Sequence, residues 1–376
     1  MHILIAPDSF KDSLTANEAG RNLAEGISSV LDNATINILP LADGGEGTLN
    51  ALVDATKGYK KWVEIHDPLM RKIKAPYGIL GNSRTAVIEM ASASGIELLN
   101  ENEKDPHQAT SYGTGELIKA ALEGNCSEII LGIGGSATID GGAGVMAALG
   151  ITFTDENNKS IVPTGGNLSS IKNIDAKGLN KQLKQTKIRI ACDVSNPLTG
   201  MNGAAYVFGP QKGAKQEDLP VFDENLKHLA NLLSQTTGWH EISLPGTGAA
   251  GGLPASIMAF TDTTLENGFN LISELVNLES QVKVSDLVIT GEGKIDFQTQ
   301  YGKTPWGVAQ LAAKYNKPLI AVGGTVAEDI DILYKQGFSL ILPILNKPME
   351  LNEALKKAST LLQETGRRIA RIVLLG

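Results

Sequence analysis

The chain has 376 residues, which is long enough to form more than one hydrophobic core. Its 33 basic and 41 acidic residues give a formal charge of −8, and no Lys/Arg block stands out, so nucleic acid is excluded as an expected partner. The two cysteines form no C-x-x-C pair, and no signal-like start or run of about 18 apolar residues is present, so we expect a cytoplasmic protein without a membrane segment.

The N-terminal part alternates short apolar runs with helical patterns. A strand is predicted at Ile3 to Ala6. The helix after it repeats apolar residues at helical spacing, namely Ala19, Leu23, Ile27 and Val30. Thr15 and Glu18 match a capping box at its start. A second strand, Ile36 to Leu41, precedes ADGGEG and another helix, and this β-loop-α rhythm is typical of a parallel sheet.

The rest of the chain extends this rhythm. The central part has five more strand candidates, at Trp62 to Ile65, Tyr77 to Leu80, Thr85 to Met90, Glu128 to Leu131 and Ile188 to Ala191. Late strand candidates lie at Asp286 to Thr290, Pro318 to Val322 and Leu340 to Leu345. We therefore predict a parallel, Rossmann-like α/β domain formed by residues 1–61 and 284–376, interrupted by an inserted second α/β domain of residues 62–283.

A glycine-rich run, LGIGGSATIDGGAG, follows the predicted strand at Glu128 to Leu131. Glycines let backbone N–H groups converge on an anion, and hydroxyl groups add donors. A structural turn that needs several positive φ angles is the alternative interpretation. We predict that phosphate is bound here by Gly134, Gly135, Ser136, Thr138, Gly141 and Gly142.

The same run also permits a dinucleotide interpretation. Gly132, Gly134 and Ala137 match G-x-G-x-x-A, and Asp155 lies where a ribose-binding acid is expected. The fingerprint requires a helix at once, whereas a helix is plausible only from about Gly144 onward. An NAD-dependent hydroxy-acid dehydrogenase is therefore one alternative function, and a non-catalytic sensor of sugar acids is another.

A Walker A loop is missing from the chain. Gly302, Lys303 and Thr304 supply its ending, but the position five before Gly302 is Phe297. A kinase with this sequence would not be a P-loop kinase.

Carboxylates are frequent in the loops after predicted strands, at Asp8, Asp43, Glu46, Asp140, Asp193, Glu292 and Asp296. Each acid alone is explained equally well as a cap or turn residue. Together on one sheet edge they would repel one another unless a cation shared the edge, so Mg²⁺ is the natural companion. No histidine falls in these loops, and a general base would then be a carboxylate.

Basic residues are fewer in these loops. Lys11 and Lys294 follow predicted strands directly, where a point charge can meet a phosphate or a substrate carboxylate. Arg71, Lys212 and Lys303 are the others, and exposure to solvent is the default interpretation of each.

Seven motifs occur in order: APDSFKDSLTA, LADGGEGT, TSYGTGEL, GIGGSATIDGGAG, CDVSNPL with GPQKGA, PGTGAAGGL and DLVITGEGKIDFQTQYGKTPWGVA. With them the chain resembles the type I glycerate kinase family, the bacterial group that phosphorylates D-glycerate. The resemblance implies ATP and Mg²⁺, an active site in a cleft between two α/β domains, and the product 2-phosphoglycerate. The residues leave 3-phosphoglycerate open as the product. Ile139 and Asp12 depart from the Asn and Gly of the usual pattern.

Residues and resemblance together suggest roles for the candidate site residues. We expect Gly134 to Gly142 to hold the nucleotide phosphates. The expected catalytic residues are Asp193, Lys294, Lys11 and Asp8. The expected Mg²⁺ ligands are Glu292 and Asp296. The expected substrate-binding residues are Asp43, Arg71, Ser92 and Lys212. A homo-oligomer is left open.

Overall fold

The computed structural model describes residues 1–300 and 303–375. It is a mixed α/β structure with two compact units. The first unit contains residues 1–43, 50–57 and the chain from 268 onward, and the second contains residues 44–49 and 58–267. The predicted boundary after residue 61 falls inside the strand Tyr59–His66, and the one after residue 283 falls at the end of the helix Leu278–Val284.

The first unit is built on a five-stranded, all-parallel sheet with strand order β14-β13-β12-β1-β2. Its strands are β1 (His2–Ile5), β2 (Thr35–Ile38), β12 (Leu287–Ile295), β13 (Leu319–Val326) and β14 (Leu340–Pro343). Its helices are α1 (Ala16–Ser28), most of α2 (Thr48–Thr56), α9 (Gly268–Leu275), α10 (Leu278–Val284), α11 (Thr304–Lys314), α12 (Asp331–Tyr334) and α13 (Leu351–Val373). The chain leaves β1 toward β2 on one side and runs from β12 to β14 on the other, so the strand order reverses between β1 and β12. Such a reversal is a topological switch point, where open α/β sheets bind ligands.

Helix α1 forms as predicted. Its capping box is present, because Thr15 Oγ1 accepts from Glu18 N at 3.2 Å and Glu18 Oε2 accepts from Thr15 N at 2.9 Å. Its apolar face is buried at Ala19, Leu23 and Ile27. The helix ends at Ser28, before the Val30 included in the predicted pattern.

The second unit has a six-stranded mixed sheet with the order β11-β10-β6-β5-β4-β3 and a small antiparallel sheet with the order β8-β7-β9. Its strands are β3 (Tyr59–His66), β4 (Lys72–Ile79), β5 (Thr85–Glu89), β6 (Glu128–Gly132), β7 (Thr152–Thr154), β8 (Ser160–Ile161), β9 (Asn173–Asp175), β10 (Lys187–Ala191) and β11 (Thr263–Glu266). Its helices are α3 (Ala91–Ser94), α4 (Tyr112–Glu123), α5 (Ala143–Ala148), α6 (Ala204–Phe208), α7 (Leu219–Thr237) and α8 (Ala249–Phe260). The neighbours β5, β6, β10 and β11 are parallel, whereas β3, β4 and β5 pair antiparallel. All five central strand candidates are therefore strands of this sheet.

Two strands continue past their predicted ends. The prediction ended one strand at Thr290, but β12 continues through TGEGKI to Ile295. The prediction ended another at Val322, but β13 continues to Val326. The two strands pair in parallel from Val288↔Leu319 to Ile295↔Val326, which extends them past their other neighbours β1 and β14. Mutual pairing satisfies the backbone groups that a loop would leave to solvent.

No helix in the stretches 1–300 and 303–375 combines the length and the apolar character required to span a bilayer.

Candidate active site

Asp8 lies just past the end of β1, at the switch point of the first unit. Its carboxylate accepts hydrogen bonds from Thr304 Oγ1 at 2.6 Å and from Ser9 N at 2.6 Å. Burial, reinforced by the carboxylates of Asp43 and Glu292, raises the pKa of Asp8 to about 7. Burial and the neighbouring acids therefore disfavour the charged form of Asp8 more than the hydrogen bonds from Thr304 and Ser9 favour it.

Glu292 lies on the neighbouring strand β12 and is only 8% exposed. Its Oε1 accepts from Thr299 Oγ1 at 2.8 Å, and Lys303 Nζ lies 3.6 Å from its Oε2. Burial raises the pKa of Glu292, and the positive charge of Lys303 opposes this rise. The Glu292 carboxylate thus has one hydrogen bond from the Thr299 hydroxyl and a longer ion pair with Lys303.

Asp296 follows β12 and pairs with the nearby Lys294, whose Nζ lies 2.9 Å from Asp296 Oδ2. Gln298 N donates to Asp296 Oδ1 at 2.8 Å. The hydrogen bond from Lys294 and the one from Gln298 lower the pKa of Asp296. The structure therefore brings together five predicted site residues of the first unit with Lys303. We call this group the strand-end cluster: Asp8, Asp43, Glu292, Lys294, Asp296 and Lys303.

A metal ion at this edge would need further ligands. Within residues 1–300 and 303–375, no three or more His, Cys, Asp or Glu side chains are arranged to hold a metal ion. Mg²⁺ is usually bound by one or two carboxylates together with waters and substrate phosphates. The oxygen donors of Glu292 and Asp296 fit that chemistry if a phosphorylated substrate completes the coordination.

The glycine loop, residues 133–142, connects β6 to α5 in the second unit. Gly134 and Gly135 are exposed, whereas Ser136, Thr138, Gly141 and Gly142 are buried. Gly142 has φ +75°, and a Cβ there would lie 2.2 Å from Leu253 O. Its N–H already donates to Asp140 Oδ1 at 3.1 Å, while Gly141 N donates to Gly251 O at 3.1 Å. Packing against α8 explains why these two positions are glycine, and phosphate binding by the loop stays a prediction.

Asp140, within the glycine loop, is completely buried. Its carboxylate accepts from Ser111 N and Oγ, both at 2.7 Å, and from the N–H groups of Gly142 and Gly144. Burial raises its pKa, and these four hydrogen bonds oppose the rise. Asp140 thus fixes the start of α5 to the segment before α4 and has a structural role.

Lys212 is placed differently from the solvent-facing substrate contact that we predicted. Its side chain is 1% exposed, and Nζ donates to Ser136 Oγ at 2.6 Å and to Thr138 O at 2.7 Å. Burial lowers the pKa of Lys212 to about 7, while the charge of Asp140 opposes this. In the structure Lys212 ties the glycine loop to the turn Pro210–Lys212.

Asp193 follows β10 and lines an open cavity of about 250 Å³ in the second unit. Asn267 Nδ2 donates to its Oδ1 at 2.5 Å, and Cys192 and Glu266 are further lining residues. Burial raises the pKa of the Cys192 thiol. Asp193 is thus grouped with polar neighbours at the carboxyl ends of β10 and β11, and its catalytic role stays a prediction.

Arg71 and Ser92 are engaged in local contacts. Arg71 Nε lies 2.5 Å from Asp67 Oδ2, and its Nη1 donates to Glu103 Oε1 at 2.7 Å. Ser92 Oγ donates to Glu89 O at 2.7 Å. Substrate binding by either residue stays a prediction and would have to use these groups in addition to their present partners.

The structure does not match the dinucleotide fingerprint at the glycine loop. Helix α5 begins at Ala143, whereas the fingerprint requires a helix that begins directly after the glycines. Asp155 forms the turn between β7 and β8, where it accepts from Asn157 N at 2.8 Å and Lys159 N at 2.9 Å. Gly302 of the incomplete Walker pattern lies outside the described residues.

Several polar residues at these places were not predicted. Thr299 Oγ1 donates to Glu292, Thr304 Oγ1 donates to Asp8, and Ser111 donates to Asp140. Glu89 ends β5 as a largely buried acid that accepts from Leu49 N at 2.8 Å, and burial raises its pKa. Glu89 had a detectable signal, a charged residue in the apolar run Thr85 to Met90. Thr299, Thr304 and Ser111 lie in motifs quoted above, but nothing in those motifs indicated which acids they contact.

Comparisons with known proteins cover nearly the whole chain and all match glycerate kinases. The family model described as "Glycerate kinase family" matches residues 3–374. The chain is 45% identical over 370 residues to a glycerate kinase of Bacillus subtilis, with 98% of this chain and 97% of that protein covered. It is 43% identical to the glycerate 2-kinase of Escherichia coli, with 100% and 99% covered. A crystal structure from Salmonella typhimurium LT2, provisionally assigned as glycerate kinase 2, matches with a TM-score of 0.92 at 43% identity, covering 100% of this chain and 99% of that one.

Proposed function

Because the chain belongs to the glycerate kinase family and is a kinase, we propose that it transfers the γ-phosphoryl group of ATP to D-glycerate and forms 2-phosphoglycerate. The observation that carries the proposal is the end-to-end similarity to a protein named glycerate 2-kinase. That name favours the 2-hydroxyl over the 3-hydroxyl as the acceptor. Neither the dehydrogenase nor the non-catalytic sensor is compatible with membership in a kinase family.

The strand-end cluster supports this chemistry in the first unit. Phosphoryl transfer depends mainly on positioning and on neutralising charge, so acids and lysines at one switch point are the groups it requires. We assign Asp8 as the group that takes the proton of the attacking hydroxyl, since a carboxylate with a pKa of about 7 is a competent base near neutral pH. Asp193 stays the second candidate for this role.

Glu292 and Asp296 are assigned as the residues that would hold Mg²⁺. When bound, Mg²⁺ neutralises phosphate charge and orients the transferring group. Lys294 and Lys303 now pair with these acids, and both ammonium groups would turn toward phosphate oxygens when ATP is present. Lys11 adds a third positive charge close to the same sheet edge.

The proposal is tested by ³¹P NMR of the purified protein with Mg·ATP and D-glycerate. We expect resonances of ADP and 2-phosphoglycerate to grow together, and both to stop growing when EDTA removes the divalent cation. Formation of 3-phosphoglycerate would correct the regiochemistry. Transfer that continues undiminished in EDTA would remove Mg²⁺ from the mechanism, and absence of any phosphoglycerate would refute the proposed substrate.

A further inference from the structure

A cavity of about 230 Å³ lies in the first unit beside the carboxyl edge of its sheet. Its walls come from the loop after β1, the segment after β14 and the first turns of α13. The apolar side chains that form most of the lining are Phe10, Ile344, Met349, Leu351, Ala354 and Leu355. Leu351 is 68% exposed, so the chain leaves a large apolar side chain in contact with water at this cavity.

The location points to a ligand of the proposed reaction. The cavity joins three polar or glycine-rich segments, APDSFK, TGEGKID and AVGG, through Lys11, Gly293 and Gly324. The first segment follows β1, and the other two lie in the C-terminal parts of β12 and β13, so the segments come from both sides of the switch point. Ligands of open parallel sheets bind at this position, outside the carboxyl ends of the strands.

Gly293 and Gly324 keep the floor of the cavity free of side chains. A Cβ on Gly324 would lie 2.4 Å from Gly293 O, so β12 and β13 approach closely here. A Cβ on Gly293 would meet Lys11 N at 3.4 Å, which is ordinary contact. The space above the strand ends is therefore bounded by backbone below and by apolar side chains around it.

The apolar lining of the cavity suits the nucleobase of ATP better than glycerate. Glycerate has a carboxylate and two hydroxyl groups, and an apolar wall would remove water from them without replacing the hydrogen bonds. A nucleobase presents two flat, weakly polar faces that gain from such a wall. Pockets for whole drug-sized ligands measure about 300–1,000 Å³, so a smaller cavity suits the base alone and leaves ribose and phosphates outside.

Lys11 supplies a positive charge where the phosphates of a nucleotide would lie if its nucleobase occupied the cavity. Its side chain is exposed and lines the cavity, and within the described stretches of the chain it has no ion-pair partner. Lys294 and Lys303, by contrast, are paired with acids. An unpaired ammonium at the cavity complements the triphosphate that a bound base would carry with it.

We propose that this apolar cavity binds the purine base of the nucleotide that donates the phosphoryl group, with Lys11 on the phosphate side. The inference rests on the proposed function only for the identity of that nucleotide. It adds a site that the strand-end cluster alone does not supply, since the cluster contains charged groups for phosphate and metal but no surface for a base.

The test fills the cavity from α13. Ala354→Leu adds three carbons to its wall, and Asn352→Leu adds an apolar side chain to an exposed position of the same helix outside the lining. We expect Ala354→Leu to weaken Mg·ATP binding in titration calorimetry at least about tenfold, the equivalent of 1.4 kcal/mol, and to raise KM for ATP equally. The KM for glycerate and the calorimetric affinity for inorganic tripolyphosphate, which has no base, should stay at wild-type values. Asn352→Leu should match wild type throughout.

A second variant guards against a packing artefact. Leu355→Asn keeps the side-chain size and replaces an apolar wall by an amide, and it should weaken Mg·ATP binding while the thermal transition shows a folded protein. Unchanged Mg·ATP affinity in both folded variants would overturn the proposal, as would a loss confined to glycerate or equal losses for ATP and tripolyphosphate. A wild-type protein that binds Mg·ATP but transfers nothing to glycerate would refute the proposed substrate, and the two variants would still decide whether the cavity holds the base.

Discussion

The strand-end cluster of the first unit and the glycine loop of the second unit resemble each other in sequence but differ in their electrostatics. Both consist of polar residues next to buried parallel strands. In the cluster, three acids influence one another and the pKa of Asp8 rises to about 7. In the glycine loop, Asp140 accepts four hydrogen bonds, and Lys212 donates two hydrogen bonds to the loop. The cluster retains uncompensated charge for a ligand, whereas the loop uses its charges to hold itself together.

The largest effect should follow from removing the charge of Asp8. Asp8→Asn keeps an acceptor for Thr304 Oγ1 but cannot take a proton, so we expect kcat for phosphoryl transfer to fall about 10²–10⁴-fold. Steady-state assays with Mg·ATP and D-glycerate measure this. Asp12→Asn is the matched control, because Asp12 is an exposed acid of the same loop whose φ of +62° asparagine also adopts. Less than a tenfold fall would remove Asp8 from the catalytic group.

For Asp140 we expect the reverse of the Asp8 result: a large loss of stability and a nearly unchanged kcat. Asp140→Asn replaces an oxygen that accepts from N–H groups by an amide and leaves Lys212 without its nearby buried charge, so unfolding in urea should show a loss of about 2–4 kcal/mol. Variant protein that folds should keep a kcat close to wild type. Asp155→Asn, in an exposed hairpin turn, should cost less than about 1 kcal/mol. A stable Asp140→Asn protein without activity would make Asp140 a functional residue.

Replacing Lys212 should also reduce stability, but by less than replacing Asp140. Lys212→Met keeps the buried volume but leaves Ser136 Oγ and Thr138 O without their donor, so we expect a loss of about 1–3 kcal/mol in stability. Lys215→Met, at an exposed position nearby, should change stability by less than about 0.5 kcal/mol. Equal stability of the two variants, together with a raised KM for glycerate only in Lys212→Met, would restore the predicted substrate contact.

The smallest effect concerns Arg71. Its guanidinium is bound by Asp67 and Glu103, so Arg71→Gln should lower the melting temperature slightly and leave the KM for glycerate within about twofold of wild type. Lys72→Gln, which removes an exposed pair with Glu64, serves as the reference for a charge lost at the surface. An increase in the glycerate KM of tenfold or more in Arg71→Gln alone would contradict the local role.

Local patterns in the sequence were sufficient for much of the fold. The capping box and the spacing of Ala19, Leu23 and Ile27 predicted α1. Apolar runs located all five strands of the first unit's sheet and five of the six in the large sheet of the second unit, but not β11. The length of β12 escaped prediction, because Gly293 and Lys294 have poor strand propensity and are held there by pairing with β13, a contact distant in sequence.

The candidate site was predictable in residue type but not in role. Asp140 and Glu292 are both acids near strand ends, and only their partners, Ser111 in one case and Thr299 with Lys303 in the other, separate a structural carboxylate from a functional one. Exposure to solvent was the default interpretation of Lys212, but tertiary packing buries it. Such partners lie far apart in the chain, so spacing alone does not reveal them.

The stability of Asp8→Asn as a function of pH, measured without nucleotide and in EDTA, tests most directly whether the strand-end cluster holds uncompensated charge. A raised folded-state pKa means that Asp8 favours the folded protein at low pH and that this contribution is lost as the pH rises through about 7. Asp8→Asn should therefore be more stable than wild type at pH 8, by about 1–3 kcal/mol for a partly exposed group, and the difference should shrink toward pH 4. A variant that is less stable than wild type at pH 8 would show that the charge of Asp8 is compensated and would contradict the account.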